Sequence, residues 1–411
     1  MRAIRSGMFR QEPDACVMGA SKPPRFKVLQ VLYSLKIGGA ETFIINIDKN
    51  LKHDEVDFEY LVFKRVSEGY EDYVAGRGGV LGCVPTVRES GNPWKFVAHI
   101  RDYIEANGPY DAIHIHTDAW GFLPVIAAHR AGIKTIVCHS HTARYADEVP
   151  FSDKVLLAIH RFFLKKLHAR AIACGKEAGD SMYGQLPYVV INNGINTADF
   201  EAVTPGDISS LRKELGIGSG KVVVHVGRFD DAKNQRFVID LAEALHGRGV
   251  DCCFVLVGDG VLRESLKKRV EGSGSGSFIV MPGVRKDIPA ILEMGSVFVF
   301  PSKYEGFPVS LVEAQCAGLP CVVSNAVTSD ANLGIVPYKE CDLDVDLWAD
   351  VVEDCLMLAK VPMEASIRKI NEMGFGAAGN LDRLMKVYGF DKGAAGRLGV
   401  SASNANSIIE R

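Results

Sequence analysis

The stretch VFVFPSKYEGFPVSLVEAQCAGLPCVVS, Val297 to Ser324, reads as strand, loop, helix and strand. VFVF and LPCVVS are short apolar runs rich in β-branched and aromatic residues, the composition of strands buried on both faces. Gly306 and Pro308 break the chain between them, and VSLVEAQCAG resumes with helical periodicity and a closing glycine. Two strands joined through a helix lie parallel in one sheet. Glu305 and Glu313 bracket seven residues here, one on the loop and one about a turn into the helix. Two carboxylates so placed suit an acid/base pair, a ligand clamp, or an ordinary helix start, where the dipole favours acids.

The same alternation runs outward in both directions. Upstream lie KVVVHVGRF, CCFVLVGDG and SFIVMPGV, separated by the helical segments NQRFVIDLAEALHGRG and VLRESLKKRVEG. An earlier series contains the strands RFKVLQVLYSL, DFEYLVF, DAIHIHT, KTIVCHS, AIACG and YVVINNG. Strands alternating with helices predict parallel sheets covered on both faces, and two series joined near 196–215 predict two doubly wound domains. The expected fold is therefore α/β with two Rossmann-like domains facing across a cleft, since ligands bind beyond the carboxyl ends of such strands. The boundaries expected are 26–200 and 201–362, with a C-terminal helix in 363–390. Residues 1–25 and 391–411 are read as a disordered extension and a loose tail.

At 411 residues the chain is long enough for two cores. Its 47 basic and 50 acidic residues leave a net charge of −3, which gives no overall attraction to nucleic acid. Ten scattered cysteines include no CxxC pair, so a zinc ribbon or thioredoxin motif is unsupported and a reducing, cytoplasmic compartment is expected. No window reaches the roughly 18 apolar residues of a spanning helix. The segment KVLLAIHRFFLKKLHAR, 154–170, carries five Lys or Arg and no acid. Such a basic helix suits either plain solvent or peripheral contact with the inner face of a membrane.

In VGRFDDAKNQ, Arg228 follows a strand end and Lys233 comes five residues later. A forked guanidinium and a mobile ammonium over strand tips suit a diphosphate, although two such cations on a loop can equally be solvated. The amides at the start of the helix near Val309 favour an anion, and Glu313 can accept from vicinal hydroxyls such as those of a ribose. In LKIGGAE, Gly38 and Gly39 permit close backbone approach to a phosphate or sugar; the pair is also ordinary turn chemistry, and it is not G-x-G-x-x-G. HIHT and IVCHSHT place His114, His116, His139 and His141 at two strand ends. H-x-H puts both rings on one face, but no acidic or thiol partner stands at ligand spacing, so no metal is expected. DVD at 344–346 is read as a surface turn.

SLKIGGAETFIINI, INNGINTADF, HVGRFDDAKNQRF, LVGDGVLRESL, GVRKDIP and PSKYEGFPVSLVEAQCAGLPCVVS occur in this order. Together they resemble family four of the retaining nucleotide-sugar glycosyltransferases, in its capsular and exopolysaccharide branch. The resemblance implies a GT-B fold and transfer of a sugar, expected from a UDP-sugar, to a glycan or lipid-linked glycan. By position, Arg228 and Lys233 match the pair that neutralises the donor diphosphate, standing in for a metal, so no cofactor is expected. Glu305 and Glu313 match the family's E-x7-E pattern. Glu313 would hold the ribose, while Glu305, with the amides of Gly306 and Phe307, would hold the donor sugar. Val284 falls where backbone meets the base, Leu311 falls on the donor-facing helix, and Gly38 and Gly39 form the loop near the donor phosphate. His139 matches the cleft histidine, with His141 the second choice. The aspartates Asp230 and Asp231 depart from the usual motif and weaken the local positive field. A nucleotide-sugar 2-epimerase and a silent sugar-nucleotide scaffold are the competing readings.

Overall fold

The structure, a computed structural model, describes residues 26–67, 69–141, 149–305 and 307–390. The N-terminal strands are β1 Phe26–Leu32, β2 Val56–Val62, β3 Leu81–Cys83, β4 Ala112–Ile115, β5 Thr135–Ser140, β6 Arg170–Ala173 and β7 Val189–Val190. The C-terminal strands are β8 Lys221–Val226, β9 Cys252–Val257, β10 Ile279–Gly283, β11 Val297–Phe300, β12 Cys321–Ser324 and β13 Tyr338–Cys341. Their orders are β3-β2-β1-β4-β5-β6-β7 and β10-β9-β8-β11-β12-β13, with every pairing parallel. In each sheet the strand order reverses at the first strand, between β1 and β4 and between β8 and β11. That reversal opens a crevice at the carboxyl edge.

Alternation along each central strand explains why both faces are covered. Leu29 and Val31 enter the core on one side of the first sheet, and Val28 and Leu32 enter the core on the other. In β8, Val222 and Val224 face one core while Val223 faces the opposite one. Near-continuous Val, Ile, Leu and Phe are therefore required, as the sequence pattern indicated.

The two crossings between domains run side by side. Ile195 donates its amide to Phe375 at 2.8 Å, and Ala377 returns one to Ile195 at 2.9 Å. The expected C-terminal helix is in fact two, Met363–Glu372 and Ala377–Tyr388. Ile367 and Ile370 of the first belong to the C-terminal core, whereas Leu384, Met385 and Tyr388 of the second pack into the N-terminal core. The break falls at Gly374, whose φ of +78° is a left-handed value that glycine accepts freely.

Two local expectations change, and two short strands had not been foreseen. The basic helix spans Phe151–Lys166 and stops short of Arg170, which opens β6 and donates to the Val387 carbonyl. Residues 344–346 begin a helix rather than a turn: Asp344 accepts from the Leu347 amide at 2.8 Å as the N-cap of Val345–Leu356. The short edge strands β3 and β13 had no legible pattern of their own.

Candidate active site

The two crevices place the sequence-marked residues together. Arg228 and Lys233 follow β8, and Glu305 follows β11, so they flank the reversal point of the second sheet. The two loops are stitched to each other. Asn234, at a left-handed φ of +54°, donates its side-chain amide to the Pro301 carbonyl at 3.2 Å. Lys303 donates its backbone amide to Ala232 at 2.8 Å, and its ammonium pairs with Asp231 at 2.8 Å. Gln235 donates to the Arg228 carbonyl at 2.8 Å, which fixes the Arg228 backbone. At Gly258, where φ is +141°, a Cβ would run into the Gly227 carbonyl, so the β8 and β9 loops approach this closely only with glycine at position 258.

Lys233 is largely buried. Its ammonium forms an ion pair with Glu305 and lies 4.7 Å from the centre of the Phe300 ring, a cation–π contact. Arg228 is mostly exposed and is held by Asp230, Nε to Oδ2 at 2.6 Å. Asp230 also accepts from the Lys233 amide at 3.1 Å. The two aspartates thus have separate partners: Asp230 offsets Arg228, and Asp231 offsets Lys303.

Glu313 lies in the second turn of the helix Val309–Cys316 and has no hydrogen-bond or ion-pair partner among the described residues. Burial pushes its carboxyl up to about 7; nearby Asp199 adds to this and Lys49 opposes it. Lys49 and Asp199 themselves pair at 3.0 Å. Phe307 stacks on Phe375 with ring centres 5.4 Å apart, tying the loop to the domain crossing. Val284 is half-exposed just past β10. Leu311 is wholly buried in the core, and its amide is already given to the Pro308 carbonyl, so it supports the helix rather than facing the cleft. Gly306 lies outside the described residues.

The first-sheet crevice contributes Gly38 and Gly39 at the start of the helix Gly39–Asp48, with Gly39 exposed. Sequence reasoning passed over Glu41 and Tyr70 beside them. Burial pushes the Glu41 carboxyl up to about 7, its own amide opposing this and Asp118 adding to it. Tyr70 shares a 2.8 Å hydrogen bond with Thr42, and burial raises its hydroxyl to about 12, helped by both Glu313 and Glu41. Tyr70 therefore stands where acids from the two domains converge. The one available signal was the acid two positions after the glycine pair.

The four histidines form a single cluster at the ends of β4 and β5. His139 is only 2% exposed, both its ring nitrogens lack partners among the described residues, and Phe43 meets it edge-on at 5.1 Å. His141 keeps more exposure and is held at both nitrogens, by Asn193 Oδ1 at 3.1 Å and His116 Nδ1 at 2.8 Å. Of the first and second choices for the cleft histidine, His139 is therefore the buried ring and His141 the more exposed one. His116 also meets Gln30 at 3.1 Å, Gln30 donates to the Tyr388 hydroxyl at 3.3 Å, and Tyr388 donates to His114 at 2.6 Å. Burial holds His114, His116 and His139 well below the usual histidine value and His141 at about 4, so the cluster is neutral. Ligand atoms of His114, His116 and His139 lie within 4.8 Å of one another. Both nitrogens of His116 are engaged in hydrogen bonds within the stack, whereas both nitrogens of His139 and Nε2 of His114 have no partner among the described residues.

Residues 37–199 match the family described as Glycosyltransferase Family 4, and residues 207–331 match Glycosyl transferases group 1. EpsF of Bacillus subtilis (strain 168), assigned by name to the glycosyltransferases, is 32% identical over 372 residues, which span 88% of this chain and 96% of EpsF. An Escherichia coli protein, UDP-Gal:alpha-D-GlcNAc-diphosphoundecaprenol alpha-1,3-galactosyltransferase, is 29% identical over 296 residues, 68% of this chain and 75% of its own. The solved structure of Anabaena HepE with UDP-glucose is similar in fold, with a TM-score of 0.72 at 20% identity over 89% of this chain and 100% of HepE. Two facing doubly wound sheets and a relative matched along nearly its whole length make this chain a member of the family 4 glycosyltransferases, in the GT-B fold.

Proposed function

We propose that the chain transfers a sugar from a UDP-sugar, with retention of anomeric configuration, to a lipid-linked or free glycan during cell-surface polysaccharide assembly in the cytoplasm. The observation that carries this is the meeting of Lys233 and Glu305 at the β8–β11 reversal, with the half-buried Glu313, which has no partner among the described residues, on the helix that follows the Glu305 loop. Departure of UDP develops negative charge on its diphosphate. Lys233, Arg228 and the amides at the Val309 helix start stabilise that charge, more in the transition state than in the ground state. On this reading the two cations take the role a divalent metal plays elsewhere, and chelators leave transfer intact. Glu313 accepts from the ribose hydroxyls, Glu305 orients the departing sugar, and His141 faces the donor sugar from the first domain. Both the name of the Escherichia coli relative and the HepE complexes with UDP-glucose and UDP support a uridine donor. That relative's diphosphoundecaprenol substrate supports a lipid-linked acceptor, and with it peripheral contact with a membrane. No helix among the described residues is long and apolar enough to cross one.

Thermal-shift measurement against a nucleotide panel tests the reading. UDP should raise the melting temperature where NAD and ATP do not, and Glu313→Ala should lose both that response and turnover. A protein that responds to no nucleotide would be the scaffold instead.

A further inference from the structure

The helix Phe151–Lys166 is apolar on both sides. Leu157, His160 and Leu164 are buried against the N-terminal domain. On the opposite side Phe151 is 82% exposed, Phe162 56%, Val155 43% and Ile159 37%. These four fall at i, i+4, i+8 and i+11, a single stripe along the outward face. Trp120, also exposed, continues the patch through rings stacked on Phe122 and then Phe163, at 6.2 and 5.8 Å. A contiguous apolar stripe of this kind on a surface helix calls for a cover.

The residues flanking the stripe identify the cover. Lys154, Lys165 and Lys166 are exposed beside it, and the Lys166 ammonium rests 5.4 Å from the Phe162 ring. The remaining cations of this segment are committed elsewhere. Arg161 turns inward to the carbonyls of Met182 and Ser181, both at 2.9 Å, and Arg170 belongs to β6. Aromatic and aliphatic side chains between lysines match the interface of an anionic bilayer, with acyl chains for the stripe and headgroups for the ammoniums.

We infer that the Phe151–Lys166 helix lies flat on an anionic lipid surface, held chiefly by insertion of Phe151, Val155, Ile159 and Phe162. This rests on, and deepens, the reading of a lipid-linked acceptor. The helix follows β5 in chain order, so its Phe151 end lies on the carboxyl side of the first sheet, the side that carries His141. A sugar acceptor anchored in that leaflet meets the first-sheet crevice at headgroup level. Only three lysines remain for electrostatic attraction, so binding should survive salt that screens a purely basic surface.

Flotation of the full chain with phosphatidylcholine–phosphatidylglycerol vesicles, at low and high salt, tests this. Wild type should float in both. The Phe151→Ser/Phe162→Ser double variant should bind at least about tenfold more weakly. Its UDP affinity, measured in parallel, should be unchanged, which shows that it is folded. A wild type that stays unbound, a double variant that floats equally well, or a dimer that this variant dissolves in sedimentation velocity would each overturn the assignment; the last would give the stripe to a second copy. Vesicle binding without any UDP binding would sink the donor reading and leave the surface assignment standing.

Discussion

Lys233 and Glu305, 72 positions apart, meet as an ion pair between the ends of β8 and β11. Without a donor, the cation for the diphosphate and the carboxylate for the sugar neutralise each other in a partly dry cleft. A UDP-sugar then supplies an anion and a set of hydroxyls, one for each half of the pair.

Lys233→Ala therefore acts on stability and chemistry together. It leaves Glu305 poorly solvated and unpaired, at a cost of about 1–3 kcal/mol in chemical denaturation. Turnover should fall by roughly 10²–10³, since a fixed charge opposite the leaving group is lost. A variant with wild-type turnover would remove Lys233 from the donor site.

Asp230 holds Arg228 and accepts from the Lys233 amide. Asp230→Asn keeps an amide acceptor and removes the charge competing for Arg228. UDP should bind about two- to fivefold more tightly, the scale of one exposed ion pair. Weaker binding in calorimetry would mean that Asp230 positions the loop rather than restraining the cation.

Glu313 gives a stability signature with a definite sign. Its folded value, about 7, is above the ordinary 4.5, so the folded state holds its proton more tightly than the unfolded chain does. This stabilisation is full below about 4.5 and is lost as pH rises to about 7. Glu313→Gln removes the loss, so the variant should gain melting temperature relative to wild type between pH 5 and 8 while losing UDP affinity. Glu41 is shifted the same way and keeps its own contribution in both proteins. A constant difference across that range would contradict a desolvated Glu313.

Tyr388 joins the last described helix to the histidine stack through His114 and Gln30. Tyr388→Phe leaves a buried imidazole nitrogen unsatisfied and should cost about 1–3 kcal/mol. Because its contacts lie in the N-terminal domain, UDP affinity should hold while kcat falls with the displacement of His141. Unchanged stability would show that the stack does not depend on this hydroxyl.

Much of this was legible in the sequence. The runs VVVHV and VFVF are apolar without interruption because both faces of β8 and β11 are covered, and the polar residues after them had to lie on the carboxyl edge. Arg228, Lys233, Glu305 and Glu313 followed from that edge and from the family pattern. The hidden features depend on contacts distant in sequence. His139 and His141 differ by two positions on a strand end, and Phe43 packs against both; only tertiary contacts such as that of Asn193 with His141 separate the buried ring from the more exposed one. The stop at Lys166 was missed because His168 takes a φ of +54°, a turn without a glycine signal. Glu41 gains its character from burial near Asp118, and Tyr70 from burial near Glu313 and Glu41, which no local pattern encodes.

The central claim is that the β8 and β11 loops hold a nucleoside diphosphate through Lys233. Titration calorimetry of UDP and of uridine monophosphate, on wild type and on Lys233→Ala, tests it most directly. Wild type should prefer UDP by about tenfold or more, as one charge-assisted contact to the second phosphate provides, and Lys233→Ala should bind the two alike. An undiminished preference for UDP in the variant would contradict the account.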